Sequence, residues 1–136
     1  MAKKKFPHFT LEEAEVAELF EKIGPLKGKW QYEVRLTSKK ARWVENEPEW
    51  IKKMWEKITA KRIDMVCERE SDVNLVEVKR YLLPSGIGQL LLYAHMYNEQ
   101  FKPQKPVKLW YVAYYGDPDV EEFAKSIGIN VWVLNR

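Results

Sequence analysis

The chain has little of what marks several common protein classes. Its 136 residues include one cysteine, Cys67, so an internal disulfide is excluded and a reducing, cytoplasmic setting is expected. Every apolar run falls short of the ~18 residues of a membrane span. The basic start, MAKKKFPHF, contains no apolar stretch of the kind that defines a signal peptide. We therefore expect a cytoplasmic protein with no membrane partner.

The excess of positive over negative charge is also small. The net charge is +3 and the sequence pI is about 8.9, which is too mild a bias to establish a nucleic-acid partner by itself. Charged residues make up 32% and hydrophobic residues 46% of the chain, a balance typical of globular proteins. Without internal repeats or low-complexity segments, we expect one domain over residues 1–136, with residues 1–9 as a flexible tail.

The first half of the chain predicts a helix, a strand and an inserted helix. Thr10 and Glu13 have the spacing of a capping box at the start of a helix over residues 11–23. The alternation in WQYEVRL predicts a strand over residues 30–36. A polar loop and a tryptophan-rich helix that starts at Pro48 follow, and we interpret residues 41–58 as an insertion between two strands.

The second half predicts a hairpin followed by alternating helices and strands. The hairpin has strands near 62–68 and 74–80. Ser85 is expected to cap the next helix, which runs to about residue 98. A buried strand (109–115), a helix (118–127) and a last strand (130–134) complete the order α-β-(α)-β-β-α-β-α-β. The fold class is therefore α/β (mixed α+β), with a mixed central sheet flanked by helices.

The hairpin carries acids where a buried strand would favour apolar residues. Folding it about residues 70–71 places Asp64 across from Glu77, and directly opposed residues have Cβ atoms about 4.5–5.5 Å apart. Two carboxylates at that distance destabilise the sheet unless one is protonated or a cation lies between them. Mg²⁺ or Mn²⁺ is the simplest cation to expect, with the backbone carbonyl of Val78 as a further ligand. Ordinary solvent-exposed strand residues are the alternative reading.

Two neighbouring features extend this pattern. Lys79 shares the face of Glu77, where its amine could orient or deprotonate an attacking water or stabilise charge on a phosphate, and the sequence leaves both roles open. Gln89 and Tyr93 are four residues apart and therefore lie on one face of the helix after the hairpin. Near the start of that helix, backbone N–H groups favour an anion such as phosphate.

Together, RIDMV, LVEVK and GQLLLY resemble the motifs of the PD-(D/E)xK nuclease superfamily, and the Q-xxx-Y element resembles its RecB/Cas4-like branch. The nearest likeness is to the nuclease domain of archaeal mismatch endonucleases, over roughly residues 10–134. The resemblance implies a restriction-endonuclease-like core that hydrolyses DNA phosphodiester bonds with Mg²⁺ or Mn²⁺. It implies metal binding by Asp64 and Glu77, catalysis by Lys79, and positioning of substrate or water by Gln89 and Tyr93.

Many members of this superfamily add an acid from the first helix. Glu13 is the favoured candidate here, and its role in the capping box is the alternative. Glu33, in the first strand, is a second candidate, with an ordinary exposed strand residue as its alternative.

DNA is the expected partner, and several polar residues are candidates for contacting it. They form a possible rim around the site, although each alone is as readily explained as solvated surface: Arg62, Arg80, Ser85, Lys102, Lys105 and Lys108. Trp43 could stack on bases, whereas helix packing or a dimer contact is preferred for Trp50 and Trp55. A homodimer is expected, because a small nuclease core can cut both strands as a pair.

The leading hypothesis from the sequence is a small metal-dependent DNA nuclease. One alternative is a nuclease scaffold retained as a non-catalytic nucleic-acid-binding module. Another is the catalytic subunit of a larger recombination or repair assembly, with a separate DNA-recognition or replication partner protein.

Overall fold

A computed structural model describes residues 6–136. It contains four α-helices, one short 3-10 helix and five strands, which confirms the predicted α/β class. Their bounds are α1 Leu11–Ile23, β1 Lys29–Leu36, the 3-10 helix Lys39–Val44, α2 Glu49–Thr59, β2 Lys61–Glu68, β3 Val73–Tyr81, α3 Pro84–Phe101, β4 Val107–Tyr115, α4 Pro118–Ser126 and β5 Ile129–Asn135.

The five strands form one mixed sheet in the order β1-β2-β3-β4-β5. Pairing is antiparallel between β1 and β2 and between β2 and β3, and parallel between β3 and β4 and between β4 and β5. The two parallel connections are made by α3 and α4, since a parallel pair needs a crossover. β3 is therefore the central strand, and residues 73–78 along it are all buried.

Helices cover both faces of the sheet. On one face, α1 places Phe20 against three partly buried tryptophans of the sheet, with ring centroids 5.3–6.2 Å apart. On the other face, α3 and α4 contribute Leu90 and Ala124 to a separate core with Tyr111. This three-layer arrangement explains why β4 is apolar almost throughout, because a strand covered on both faces loses the alternation of an exposed strand.

The segment before α1 differs from the flexible tail expected over residues 1–9. Residues 1–5 lie outside the described part of the chain, but Phe6 and Phe9 are 0% and 6% exposed. Their rings stack at 5.0 Å, and Phe6 packs edge-on against Tyr32 of β1 at 5.3 Å. Two buried aromatic rings stabilise this segment through the hydrophobic effect, so Phe6 and Phe9 belong to the core, whereas the two residues between them are exposed.

The inserted helix α2 projects from the sheet. It has no buried residue, and its main neighbour is the 3-10 helix, where Trp43 and Trp55 lie 6.0 Å apart. Two large apolar side chains of this helix, Trp50 and Ile58, are 66% and 70% exposed. The sequence therefore predicted the helix correctly, but these side chains are not packed against the described part of the chain.

The start of α3 also differs from the prediction. The N-cap is Leu83 and the helix begins at Pro84, so the expected capping by Ser85 is wrong. The backbone of Leu83 is held by Tyr111 of β4, whose hydroxyl accepts a hydrogen bond from its N–H at 2.9 Å and donates one to its carbonyl at 2.8 Å. A buried side chain from the sheet thus replaces a local cap.

Across residues 6–136, none of the helices combines the length and apolarity needed to cross a membrane.

Candidate metal and phosphate site

The site begins at an irregularity shared by β1 and β2. Ile63 packs in the core beneath α3, whereas Met65, two residues later, packs in the core beneath α1. A regular strand would put both on one face, so the alternation breaks at Asp64. Its counterpart in the β1 register is Glu33, which has a positive φ of 49° and is skipped in the pairing. The break frees Asp64 from the regular ladder.

The hairpin register brings Asp64 to Glu77. The pairs run from Glu68↔Val73 to Met65↔Val76, and one further step joins the two acids. The Oδ2 atom of Asp64 accepts a hydrogen bond from the backbone N–H of Val78 at 2.8 Å. Asp64 is partly buried, while Glu77 is only 2% exposed. The sequence pattern therefore predicted this juxtaposition correctly.

Burial controls the electrostatics of the pair. It raises the pKa of Asp64 from 3.8 to about 6, against the hydrogen bonds from Glu77 and Val78 and the charge of Lys79. Burial also raises the pKa of Glu77 far above its ordinary value, and the neighbouring Asp64 raises it further. Two neighbouring carboxyl groups in a low dielectric do not both ionise unless a cation compensates their charge. Without a cation, one of them keeps its proton.

One oxygen of Glu77 has no donor to satisfy it. Lys79 Nζ lies 3.6 Å from Glu77 Oε1, but Oε2 is buried and has no hydrogen-bond partner within residues 6–136. A buried, unpartnered carboxylate oxygen is costly. A proton shared with Asp64 would satisfy it, and so would a divalent cation, which prefers carboxylate oxygens. The donor set therefore fits Mg²⁺ or Mn²⁺.

Gln89 and Tyr93 lie on α3, near the two acids of the sheet. Gln89 Nε2 donates a hydrogen bond to the Tyr93 hydroxyl at 2.9 Å. Tyr93 is 8% exposed, and burial raises its pKa, with smaller contributions from the charges of Glu77 and Asp64. The structure thus brings the predicted pair within electrostatic range of the two carboxyls, with the amide of Gln89 less buried than the phenol.

The position of these two residues depends on close packing at the start of α3. Gly86 lies so near Tyr111 that a Cβ atom added to it would be 2.1 Å from the tyrosine hydroxyl. Tyr111 is itself paired in register with Glu77. One buried tyrosine therefore contacts α3 and neighbours the acid strand. No sequence pattern indicated this role, since Tyr111 is one of several aromatics in an apolar run.

The two candidate extra acids have other partners. Glu13 completes the capping box with Thr10, in which its Oε1 accepts from the Thr10 N–H at 2.9 Å, yet its charge is near enough to raise the pKa of Asp64 slightly. Glu33 Oε1 lies 3.8 Å from His8 Nε2. Within the described residues, no group of three or more His, Cys, Asp or Glu side chains is arranged to hold a metal.

The predicted rim divides between the two ends of the sheet. Arg62 is on β2, two residues before Asp64. Arg80 lies beyond Lys79, where it pairs with Glu12 at 2.7 Å, and the exposed Ser85 is in the first turn of α3.

The lysines of the rim lie elsewhere. Lys105 and Lys108 pair with Glu68 and Asp72 near the hairpin turn, at 3.0 and 3.3 Å. Lys102 is at the far end of α3. These three lysines therefore lie away from the acids, because the hairpin turn is at the start of β3 and Glu77 lies further along the strand.

Sequence reasoning missed a second buried carboxylate, Asp72, which is 1% exposed. Arg69 donates to both of its oxygens at 2.7 and 2.5 Å, and Asn74 donates at 2.7 Å. Arg69 holds the pKa of Asp72 well below its usual range. The i,i+3 spacing of Arg69 and Asp72 around the turn was the available signal, and it indicated only a turn.

Comparison with known proteins found no match to this chain among protein-family models, curated proteins or solved structures.

Proposed function

We propose that the chain is a divalent-metal-dependent nuclease of the PD-(D/E)xK type, with a restriction-endonuclease-like core, that hydrolyses DNA phosphodiester bonds. The observation that carries the proposal is the buried pair of Asp64 and Glu77, with an unpartnered oxygen on Glu77 and the Lys79 amine 3.6 Å from the other. Supporting it are the Gln89–Tyr93 pair on α3 and the element order around the site.

Each residue has a distinct task in this proposal. Asp64 and Glu77 hold Mg²⁺ or Mn²⁺, with the Val78 carbonyl as a further candidate ligand. When bound, the cation supplies Lewis-acid polarisation of the phosphate and a more acidic water. The hydrogen bond from the Val78 N–H fixes the rotamer of Asp64, so one of its oxygens stays directed into the site.

The amine of Lys79 lies where it can orient the attacking water or stabilise negative charge on the phosphate. The partly buried amide of Gln89, held by Tyr93, can donate to a phosphate oxygen. Water attacks phosphorus and the bond to the leaving oxygen breaks, which gives a phosphomonoester and a hydroxyl end.

A binding module without turnover is the second candidate, and one observation favours it. Lys79 already pairs with Glu77, so the site carries part of its own charge compensation. Such a module would hold nucleic acid and would not depend on a divalent ion.

The test combines cleavage and metal binding. Purified protein is incubated with single-stranded, duplex and branched DNA in Mg²⁺ or Mn²⁺, alongside Lys79→Met and Asp64→Asn. We expect metal-dependent cleavage of at least one substrate, lost on the order of a hundredfold or more in both variants. Lys125→Met is the matched control, since it removes an exposed lysine in the last turn of α4 that belongs neither to the site nor to the predicted rim, and it should cleave like the parent.

Titration calorimetry with Mn²⁺ separates the two candidates. The nuclease requires binding that Asp64→Asn weakens at least tenfold. DNA binding without cleavage and without Mn²⁺ binding would replace the nuclease with the binding module. Cleavage that survives Lys79→Met would refute the assigned chemistry.

A further inference from the structure

A groove of about 890 Å³ is built on β2 and α3, the two elements that also carry Asp64 and Gln89 of the candidate site. One wall comes from the 3-10 helix and the preceding loop, and the other from the outer face of α3. The lining residues on which the argument depends are Lys39, Lys40, Arg42, Lys61, Leu92, His95 and Glu99. The inserted segment thus gives the molecule a concave surface that the sheet and its covering helices alone do not provide.

Positive charge dominates the groove. Four cations line it, and the acid among its lining residues, Glu99, lies 3.7 Å from Lys39 and 3.1 Å from His95. Lys40, Arg42 and Lys61 have no ion pair within the part of the chain that the structure describes. Such uncompensated cations in a concave surface concentrate a positive potential that attracts a polyanion.

An exposed aromatic ring next in sequence to the groove's cations could stack on bases, although it does not line the groove itself. Trp43 follows Arg42, is 71% exposed, and has the Lys40 amine 5.8 Å from its ring centroid. On the opposite wall Leu92 is 46% exposed. Alternation of cations with an exposed aromatic ring is the pattern that binds single strands, where phosphates are paired and bases stack. A duplex hides its bases and would use the cations alone.

The groove is connected to the acids by two elements. Lys61 lies three residues before Asp64 on β2, which is about 10 Å at the rise of a strand. Leu92 lies three residues after Gln89 on α3, about 4.5 Å along the helix axis. A strand in the groove would therefore reach the candidate site within a few nucleotides.

We propose that this groove binds the single-stranded nucleic acid that leads to the scissile phosphate. The proposal rests on the proposed nuclease function for the direction of the strand, and on the groove itself for binding. Arg42, Lys40 and Lys61 contact phosphates, and Trp43 stacks on a base.

Binding is measured in EDTA, so that no cleavage occurs, by fluorescence anisotropy with labelled oligothymidylate, oligouridylate and a duplex of equal length. We expect the single strands to bind more tightly than the duplex. In Lys40→Gln/Arg42→Gln/Lys61→Gln the affinity should fall at least tenfold, and the slope of log affinity against log salt should decrease by about 2, at ~0.7 per lost phosphate contact.

Two further variants separate the contributions. Trp43→Ala should weaken binding about fivefold or more without changing the salt slope. Arg42→Gln alone should lower the slope by about 0.7, and it changes an exposed side chain that carries no ion pair in residues 6–136. It keeps the proposal testable if the triple variant fails to fold.

The matched control is Lys29→Gln/Lys53→Gln/Lys57→Gln. It removes the same charge from exposed residues that do not line the groove and should retain most of the parental affinity. Equal losses in both triple variants, no binding by the parent, or equally tight duplex binding would overturn the proposal.

Cleavage assays keep this outcome separate from the nuclease. Binding through the groove by a parent that never cleaves leaves the groove standing and removes the nuclease. If the groove variants retain both metal-dependent cleavage and parental affinity, the nuclease proposal stands and the groove proposal is refuted. The two oligonucleotides show whether the strand is DNA, RNA or either.

Discussion

Asp64→Asn should stabilise the metal-free protein, although it removes a proposed ligand. Burial raises the pKa of Asp64 from 3.8 to about 6. Above pH 6 the ionised group therefore costs the folded state about 3 kcal/mol relative to the unfolded chain, at 1.36 kcal/mol per pKa unit. The cost is absent below about pH 4, grows as the pH rises from 4 to 6, and is constant above.

Asparagine removes this cost and keeps the local contacts. Its carbonyl can still accept from the Val78 N–H, as Asp64 Oδ2 does at 2.8 Å. Its amide can donate to Glu77, whose Oε2 has no donor within residues 6–136. We expect a gain of about 1–3 kcal/mol in the free energy of unfolding at pH 8, and little change at pH 4.

Urea unfolding in EDTA, followed by tryptophan fluorescence, measures both values. Asp119→Asn is the control, because it changes an exposed aspartate and should shift stability by less than about 0.5 kcal/mol at either pH. Mn²⁺ should then stabilise the parent by about 2.7 kcal/mol at 100 times its dissociation constant, and Asp64→Asn by about 1.4 kcal/mol or less at the same concentration. A variant less stable than the parent at pH 8, or an equal gain at both pH values, would refute the reasoning.

Three other substitutions test the supporting structure through urea unfolding. Asp72→Asn should lower the free energy of unfolding by about 2–4 kcal/mol at pH 7, because it leaves the paired cations uncompensated. The pKa of Asp72 is lowered in the folded parent, so the difference in stability between parent and variant should shrink as the pH falls below about 4. Gly86→Ala should cost about 1–3 kcal/mol and reduce cleavage, because its Cβ would collide with the tyrosine beneath it; Gly88→Ala, in open space on the same helix, should be neutral or stabilising. Phe6→Ala should cost about 3 kcal/mol, whereas Leu11→Ala, 75% exposed, should cost little. Equal effects within either matched pair would contradict the packing described above.

Local patterns predicted the acid hairpin and failed where distant residues decide. Alternation and a polar turn are short-range properties, so they placed Asp64 beside Glu77 before any tertiary contact was known. The burial of Phe6 depends on Tyr32, 26 positions away, and the anchoring of Leu83 depends on Tyr111. No window of neighbouring residues contains those contacts.

The inserted segment shows a different limit. Its helical period was readable, but the period identifies an apolar face and not what covers that face. Trp50 and Ile58 lie on an apolar face that nothing in the described part of the chain covers, and both are exposed. The groove beside it combines cations from the 3-10 helix and β2 with the outer face of α3, and only the folded chain brings those surfaces together.

The strongest argument for a ligand at the candidate site comes from comparing the two buried carboxylates of one hairpin. Asp72 and Glu77 are 1% and 2% exposed. Asp72 is surrounded by an arginine, an amide and a lysine, and this environment lowers its pKa, so its charge is satisfied by the fold itself. Glu77 has one lysine at 3.6 Å, a second carboxyl beside it and an oxygen without a donor. The same chain therefore shows what full compensation of a buried carboxylate requires, and Glu77 lacks it. If Glu77 served only the fold, an apolar residue at this position would stabilise the sheet more. The compensation that Glu77 lacks would come from a proton shared with Asp64 or, in the proposed nuclease, from a divalent cation.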